Sequence, residues 1–128
     1  MNNMKLTVLG SGVMVPTAER NPAGFLVEAG GQKILMDAGH GIIRRLTDYG
    51  LNLQDVDLVL ATHFHTDHFA DIFPLFHSRW VDDTYTGKAN QELLIWGPKG
   101  TADRFKLWRQ IFWVEPEEDY RTAFCTRS

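Results

Sequence analysis

Four consecutive apolar residues, Leu58-Val59-Leu60-Ala61, run directly into Thr62-His63-Phe64-His65-Thr66-Asp67-His68. An apolar run without polar alternation predicts a strand buried on both faces, because a strand wet on one side alternates apolar and polar positions. Such a strand lies inside a sheet that other layers must cover, which steers the chain toward an α/β architecture. The polar cluster then falls at the strand's carboxyl end.

The flanking sequence supplies the rest of that sheet. Leu6-Thr7-Val8-Leu9 reads as a strand closed by Gly10-Ser11-Gly12, and Gly24-Phe25-Leu26-Val27-Glu28-Ala29 as a second. Gly30-Gly31 predicts a tight hairpin that returns Ile34-Leu35-Met36 antiparallel, with Asp37 ending the strand. From Gly41, the residues Ile42, Ile43, Leu46 and Tyr49 recur at helical spacing and Gly50 is placed to stop the helix.

Beyond the histidines, Phe69, Ile72, Phe73, Phe76 and Trp80 predict another helix, which Pro74 either kinks or restarts. The stretch Val81 to Gln91 reads as a polar loop and Leu93-Leu94-Ile95-Trp96 as the next strand. After the turn Gly97-Pro98-Lys99-Gly100, Thr101 reads as the N-cap of a helix burying Phe105, Trp108, Ile111 and Phe112. Glu115 to Ser128 carries no legible pattern. The order predicts an antiparallel beginning followed by βαβ units, hence a mixed sheet with flanking helices.

With 128 residues, no repeat, no low-complexity tract and no linker, the chain predicts one domain rather than two. A content of 44% hydrophobic residues, with four Trp and eight Phe, provides for a core and argues against disorder. The formal charge of -3 excludes a general electrostatic pull toward nucleic acid or anionic membrane while leaving room for a local basic patch. One cysteine, Cys125, allows neither an intrachain disulfide nor a thiolate zinc cluster. With no signal peptide pattern and no run approaching about 20 apolar residues, the expectation is a soluble, cytoplasmic protein.

The chemistry concentrates in His63, His65, Asp67 and His68. In an extended segment, side chains two apart share a face, so His63, His65 and Asp67 can converge, while a turn into helix would aim His68 elsewhere, together with Asp67. Imidazole nitrogen and carboxylate oxygen are the donors that zinc, manganese and ferrous iron accept, and the lack of thiolates favours a catalytic over a structural ion. Two ions about 3.5–4 Å apart could hold and activate a hydroxide, which is hydrolytic chemistry.

Other candidates read as support. His77, among Phe76 and Trp80, is expected to be a structural histidine, and His40 to solvate a helix start or face a substrate. Asp37 reads chiefly as a carboxylate that bonds backbone amides or the metal-loop histidines. Gly10-Ser11-Gly12 lacks the third glycine of a dinucleotide loop, since Val15 stands there, and no Gly-Lys-Ser/Thr follows, so turn glycines are expected. Arg20, Arg44 and Arg45 could meet a phosphate, but scattered surface arginines are usually solvated.

Thr62-His63-x-His65-x-Asp67-His68 resembles the metal-binding motif of the metallo-β-lactamase superfamily. Leu9-Gly10-Ser11-Gly12, Val15-Pro16-Thr17, Arg20-Asn21-Pro22, Asp37-Ala38-Gly39 and Gly97-Pro98 resemble its ribonuclease Z-like branch, over most of residues 4 to 113. The resemblance implies the N-terminal half of an αββα sandwich, with residues 1–128 a single partial domain truncated before the C-terminal half. It assigns His63 and His65 to a first zinc and Asp67 and His68 to a second, with Asp67 also the catalytic proton shuttle. It implies a hydrolase in which a metal-bound hydroxide attacks a phosphodiester, RNA or a smaller molecule, with manganese or iron as alternatives to zinc. Two further readings stand beside it: a carboxylic, lactone or sulfate ester hydrolase, and an inactive fragment limited to metal or protein binding. Homodimerisation, with no membrane association, completes the expectation.

Overall fold

The computed structural model describes residues 3–86, 92–113 and 124–126. Among the described residues, six strands form one mixed sheet in sequence order: β1 (Lys5–Gly10), β2 (Gly24–Ala29), β3 (Gln32–Met36), β4 (Leu58–Leu60), β5 (Leu94–Gly97) and β6 (Phe124–Thr126). The first two pairings are antiparallel and the remaining three parallel, the switch falling between β2–β3 and β3–β4. The β2–β3 hairpin turns at Gly30 and Gly31, with φ of 58° and 80°. Glycine adopts those left-handed angles without a Cβ penalty, which locks Ala29 opposite Gln32.

Each parallel connection passes through helix, as a parallel crossover requires. Helix α1 (Ile42–Asp48) and a short 3-10 turn (Leu53–Asp55) join β3 to β4, and α2 (Thr66–Phe69) and α3 (Ile72–Thr86) follow β4. Helix α4 (Thr101–Phe112) comes after β5. Pro74 sits in the first turn of α3, where its missing N–H costs no helical bond, so it begins this helix rather than kinking it.

Leu26, Leu35, Val59 and Ile95 on one sheet face are fully buried, in one core with Ile42, Leu46, Ile72, Leu75 and Phe105 of the helices. Complete burial of an aliphatic or phenyl side chain contributes about 1.5–3 kcal/mol, so this layer carries most of the fold's hydrophobic stabilisation. The opposite face is different. The register aligns Leu6, Val27, Ile34, Leu58 and Leu94 in one row and Val8, Phe25, Met36, Leu60 and Trp96 in the next. Leu6 is 61% and Val8 55% exposed, and Met36, Leu94 and Trp96 are exposed as well. The expectation that β4 is buried on both faces is therefore corrected: Val59 is buried, but Leu58 and Leu60 are only half-buried on the side without helices.

Three further expectations change. Residues 81–86 continue α3 rather than forming a loop, because Asp83 is buried one turn beyond the buried Arg79; residues 87–91 lie outside the described set. The N-cap of α4 is Gly100, at φ 94°, while Thr101 is its first helical residue, buried and donating its hydroxyl to the Pro98 carbonyl. On α4, Phe105 is buried and Trp108 half-buried, but Ile111 and Phe112 are 71% and 60% exposed, so only half of the expected apolar stripe is covered. In the tail, the backbone of Phe124–Thr126 pairs with β5, a strand too short to show alternation in sequence.

Candidate metal centre

The parallel register brings the carboxyl ends of β3, β4 and β5 to one edge, and the histidine motif begins there. Asp37 is the first residue beyond β3, and its backbone N–H donates to the Leu60 carbonyl at 2.8 Å. It takes φ 57°, in the left-handed region where a non-glycine residue is unusual and Asp among the more tolerated. That turn buries its carboxylate beneath the motif at 4% exposure. Oδ1 accepts the Thr62 backbone N–H at 2.7 Å, and Oδ2 accepts the Thr62 hydroxyl at 2.8 Å. The same Oδ2 lies 2.8 Å from His68 Nδ1. Asp37 thus takes the supporting role read from the sequence.

The motif itself is extended through His65 and helical from Thr66. In the extended part, Phe64 turns toward Phe69, with ring centroids 5.3 Å apart, and alternation sets His63 and His65 together on the other side, 4.7 Å apart. The strand-like alternation does not carry on to Asp67, as its spacing suggested, because α2 starts at Thr66. Helical geometry instead pairs Asp67 with His68: Oδ2 of Asp67 is 3.6 Å from Nε2 of His68. The His68 ring also approaches His63, with centroids 4.2 Å apart. All four residues read from the sequence therefore stand together.

Two features suit this set to a divalent ion. Asp37 Oδ2 engages Nδ1 of His68, and this holds the ring with Nε2 facing the Asp67 carboxylate. Asp67 Oδ1 is buried with no hydrogen-bond partner among the described residues, an arrangement that is costly for a carboxylate unless a cation faces it. The donors come in pairs, however: among the described residues no group of three or more His, Cys, Asp or Glu side chains is arranged to hold an ion. Further donors would have to join them.

Close backbone packing holds the motif in place. Ala38 N–H donates to the His68 carbonyl at 2.7 Å, and Asp71 N–H to the Ala38 carbonyl at 2.9 Å. A Cβ on Gly39 would lie 2.1 Å from the Asp67 carbonyl oxygen, so only glycine fits there. Gly10 and Gly12 serve the same close packing against the Asn21 and Pro22 backbone, but as the end of β1 and an isolated bridge to Pro22 and not as the expected turn glycines. Sequence reasoning missed Asp71, which is buried and accepts the Ile43 N–H at 3.0 Å. It caps α1 from a distant element where the local N-cap, Gly41, has no side chain to do so. Burial raises its carboxyl above the ordinary value, against the lowering effect of the α1 backbone amides. Nothing in a sequence window marks such a cap.

The remaining candidates lie outside the motif. His77 packs against Trp113, Trp108 and Trp80, with centroids 4.9, 5.7 and 6.1 Å away. Arg44 and Arg45 pair with Asp48 at 3.4 and 3.5 Å, and Arg20 is exposed. His40 is half-buried, and its carbonyl accepts from Asn21 at 3.5 Å. An apolar cleft of about 960 Å³ opens beside the motif, lined among others by Thr66, Ala70, Phe73, His77 and Trp108.

A family model described as Anti-Pycsar protein Apyc1 matches residues 4–94. The chain belongs to the Apyc1 family. The match takes in β1 through the start of β5, and so includes every candidate ligand of this Apyc1-family chain. Ribonuclease Z of Mycolicibacterium gilvum is 37% identical over 100 residues, 78% of this chain and 34% of that protein. The metallo-β-lactamase fold protein YhfI from Bacillus subtilis superposes with a TM-score of 0.78 at 27% identity, over 98% of this chain and 47% of its own. The short form of human tRNase Z, at 22% identity, shows the same fold with a TM-score of 0.76, over 97% and 43% of the two chains. The Apyc1-family chain is thus of the metallo-β-lactamase superfamily, in its ribonuclease Z-like branch, and has the mixed sheet and flanking helices of one half of that fold. It spans about a third of the length of the curated relative and just under half of the solved structures.

Proposed function

We propose that this chain carries the histidine-motif part of a metal-dependent hydrolase, ribonuclease Z-like, that acts on a phosphodiester. The observation that carries the reading is the buried, unpartnered Oδ1 of Asp67 beside the Nε2 of His68, which Asp37 has turned to face it. His63 with His65, and Asp67 with His68, are the donor pairs for two divalent ions, zinc first and manganese or iron as alternatives. When bound, such ions supply Lewis-acid activation of a phosphoryl oxygen and of water. Asp67 is the residue proposed to move the proton, being the one motif carboxylate whose oxygen has no other partner. A ribonuclease Z relative at 37% identity supports a phosphodiester, RNA or a smaller molecule, over a carboxylic, lactone or sulfate ester. The cytoplasm is the proposed compartment; no helix among the described residues is long and apolar enough to cross a membrane.

A second reading has its own observation. Each proposed ion has two donors here, and a catalytic zinc usually takes three protein ligands and a water. The 128 residues alone would then bind metal weakly and turn nothing over, whether as monomer or homodimer, since two copies supply the same pairs twice. One experiment separates the readings: metal per chain by elemental analysis after zinc loading, beside hydrolysis of a chromogenic phosphodiester. Hydrolysis with about two ions supports a working phosphodiesterase, and binding without hydrolysis supports the second reading. Zinc binding left unchanged by His63→Ala with His65→Ala would remove the motif as the site.

A further inference from the structure

We infer that Thr62 is a positioning residue, whose hydroxyl relays the Asp37 carboxylate to His63 and fixes which nitrogen of that ring is free to bind. The inference rests on the proposed metal reading only for its purpose, since the tautomer is a property of the metal-free chain. The Thr62 hydroxyl has one proton and two neighbours: Asp37 Oδ2 at 2.8 Å and His63 Nδ1 at 2.9 Å. An ionised carboxylate accepts and cannot donate, so the proton goes to Asp37. The hydroxyl oxygen must then accept from His63, which places that ring's proton on Nδ1 and its lone pair on Nε2.

Asp37 Oδ2 also receives Nδ1–H of His68. One buried carboxylate therefore sets two rings in the same tautomer, His68 directly and His63 through a threonine. The sequence reading gives these rings to different ions, so a single carboxylate orients one ligand of each. The side chain is anchored for this task, because the Thr62 backbone N–H holds the other carboxylate oxygen at 2.7 Å and leaves the hydroxyl little freedom to turn away. Serine could do the same with its hydroxyl, whereas valine has the shape without the proton.

The test uses metal-free protein labelled with 15N at histidine, with long-range proton–nitrogen correlation spectra recorded in mildly alkaline buffer. Wild type is expected to show His63 and His68 protonated at Nδ1. Thr62→Val should move His63 to the Nε2-protonated form while His68 keeps its own, an internal sign that the fold persists, and Thr62→Ser should restore His63. Zinc affinity should fall about 10–100-fold in Thr62→Val and recover in Thr62→Ser. His63 found protonated at Nε2 in the wild type, or unmoved in Thr62→Val, overturns the relay, and the wild-type spectrum decides this even if the valine variant fails to fold. A wild type with the expected tautomers but no zinc uptake would overturn the metal reading and leave the relay standing.

Discussion

Asp37 and Asp71 are both buried carboxylates, and they differ in how they are satisfied. Asp37 takes three short hydrogen bonds through its two oxygens. Asp71 is held chiefly by main-chain amides at the start of α1, and for it burial outweighs those donors, so its carboxyl rises above the ordinary 3.8. Just above pH 3.8 the unfolded chain has released this proton and the folded chain still holds it, so Asp71's contribution to stability falls as pH rises through that window, and the deficit is complete above the folded value. Urea unfolding between pH 4 and 7 should show Asp71→Asn, which keeps an acceptor for the Ile43 amide, losing that downward component. A variant with the wild-type slope would show that Asp71 does not titrate in that window. Gly39→Ala makes a second residue-scale test: a Cβ 2.1 Å from the Asp67 carbonyl forces the motif to shift, so zinc affinity should drop at least about tenfold although no donor is changed.

At the scale of elements, α3 owes its second half to a buried cation. Arg79 donates through Nη1 to the carbonyls of Leu53 and Val56 at 2.8 and 2.7 Å, joining the helix to the 3-10 turn before β4. Burial lowers its pKa while Asp83, Asp57 and Asp55 support its charge. Arg79→Ala would leave the buried Asp83 without that charge and both carbonyls without the guanidinium, and should cost about 3–5 kcal/mol, read from the urea midpoint. Here lies the limit of what the sequence made legible. Strands and helices with strong periodicity, such as the β2–β3 hairpin and α1, were plain, as was the motif, because its candidate ligands are adjacent in the chain. The helical continuation to Thr86 was hidden by Asp82, Asp83 and Thr84, polar residues that read as a loop although Thr84 donates back to the Trp80 carbonyl one turn earlier. The start of α2 at Thr66 was hidden too, since His63, His65 and Asp67 at alternate positions look like a strand.

For the molecule as a whole, the sheet has two unequal faces: one buried by helices, the other carrying two apolar rows that are half-buried to exposed. A bare apolar surface on this scale favours association. Sedimentation of the 128-residue chain should show mass rising with concentration, and Leu6→Thr with Val8→Thr should suppress the rise without lowering the melting temperature, because both side chains are more than half exposed. A concentration-independent monomer would mean that these rows do not drive association. The pairing of Met36 with Leu60, and of Leu60 with Trp96, has one more consequence. Side chains on a strand alternate with a period of two, so deleting one residue within Leu58–Leu60 would turn Val59's place in the core over to the open face and draw Thr62 away from Asp37. A length change in the turn around Asn52 would leave that alignment intact. Evolutionary gaps in homologous chains should therefore collect before β4 and be rare within it, the geometry of the candidate metal centre being written into strand length as much as into the histidines.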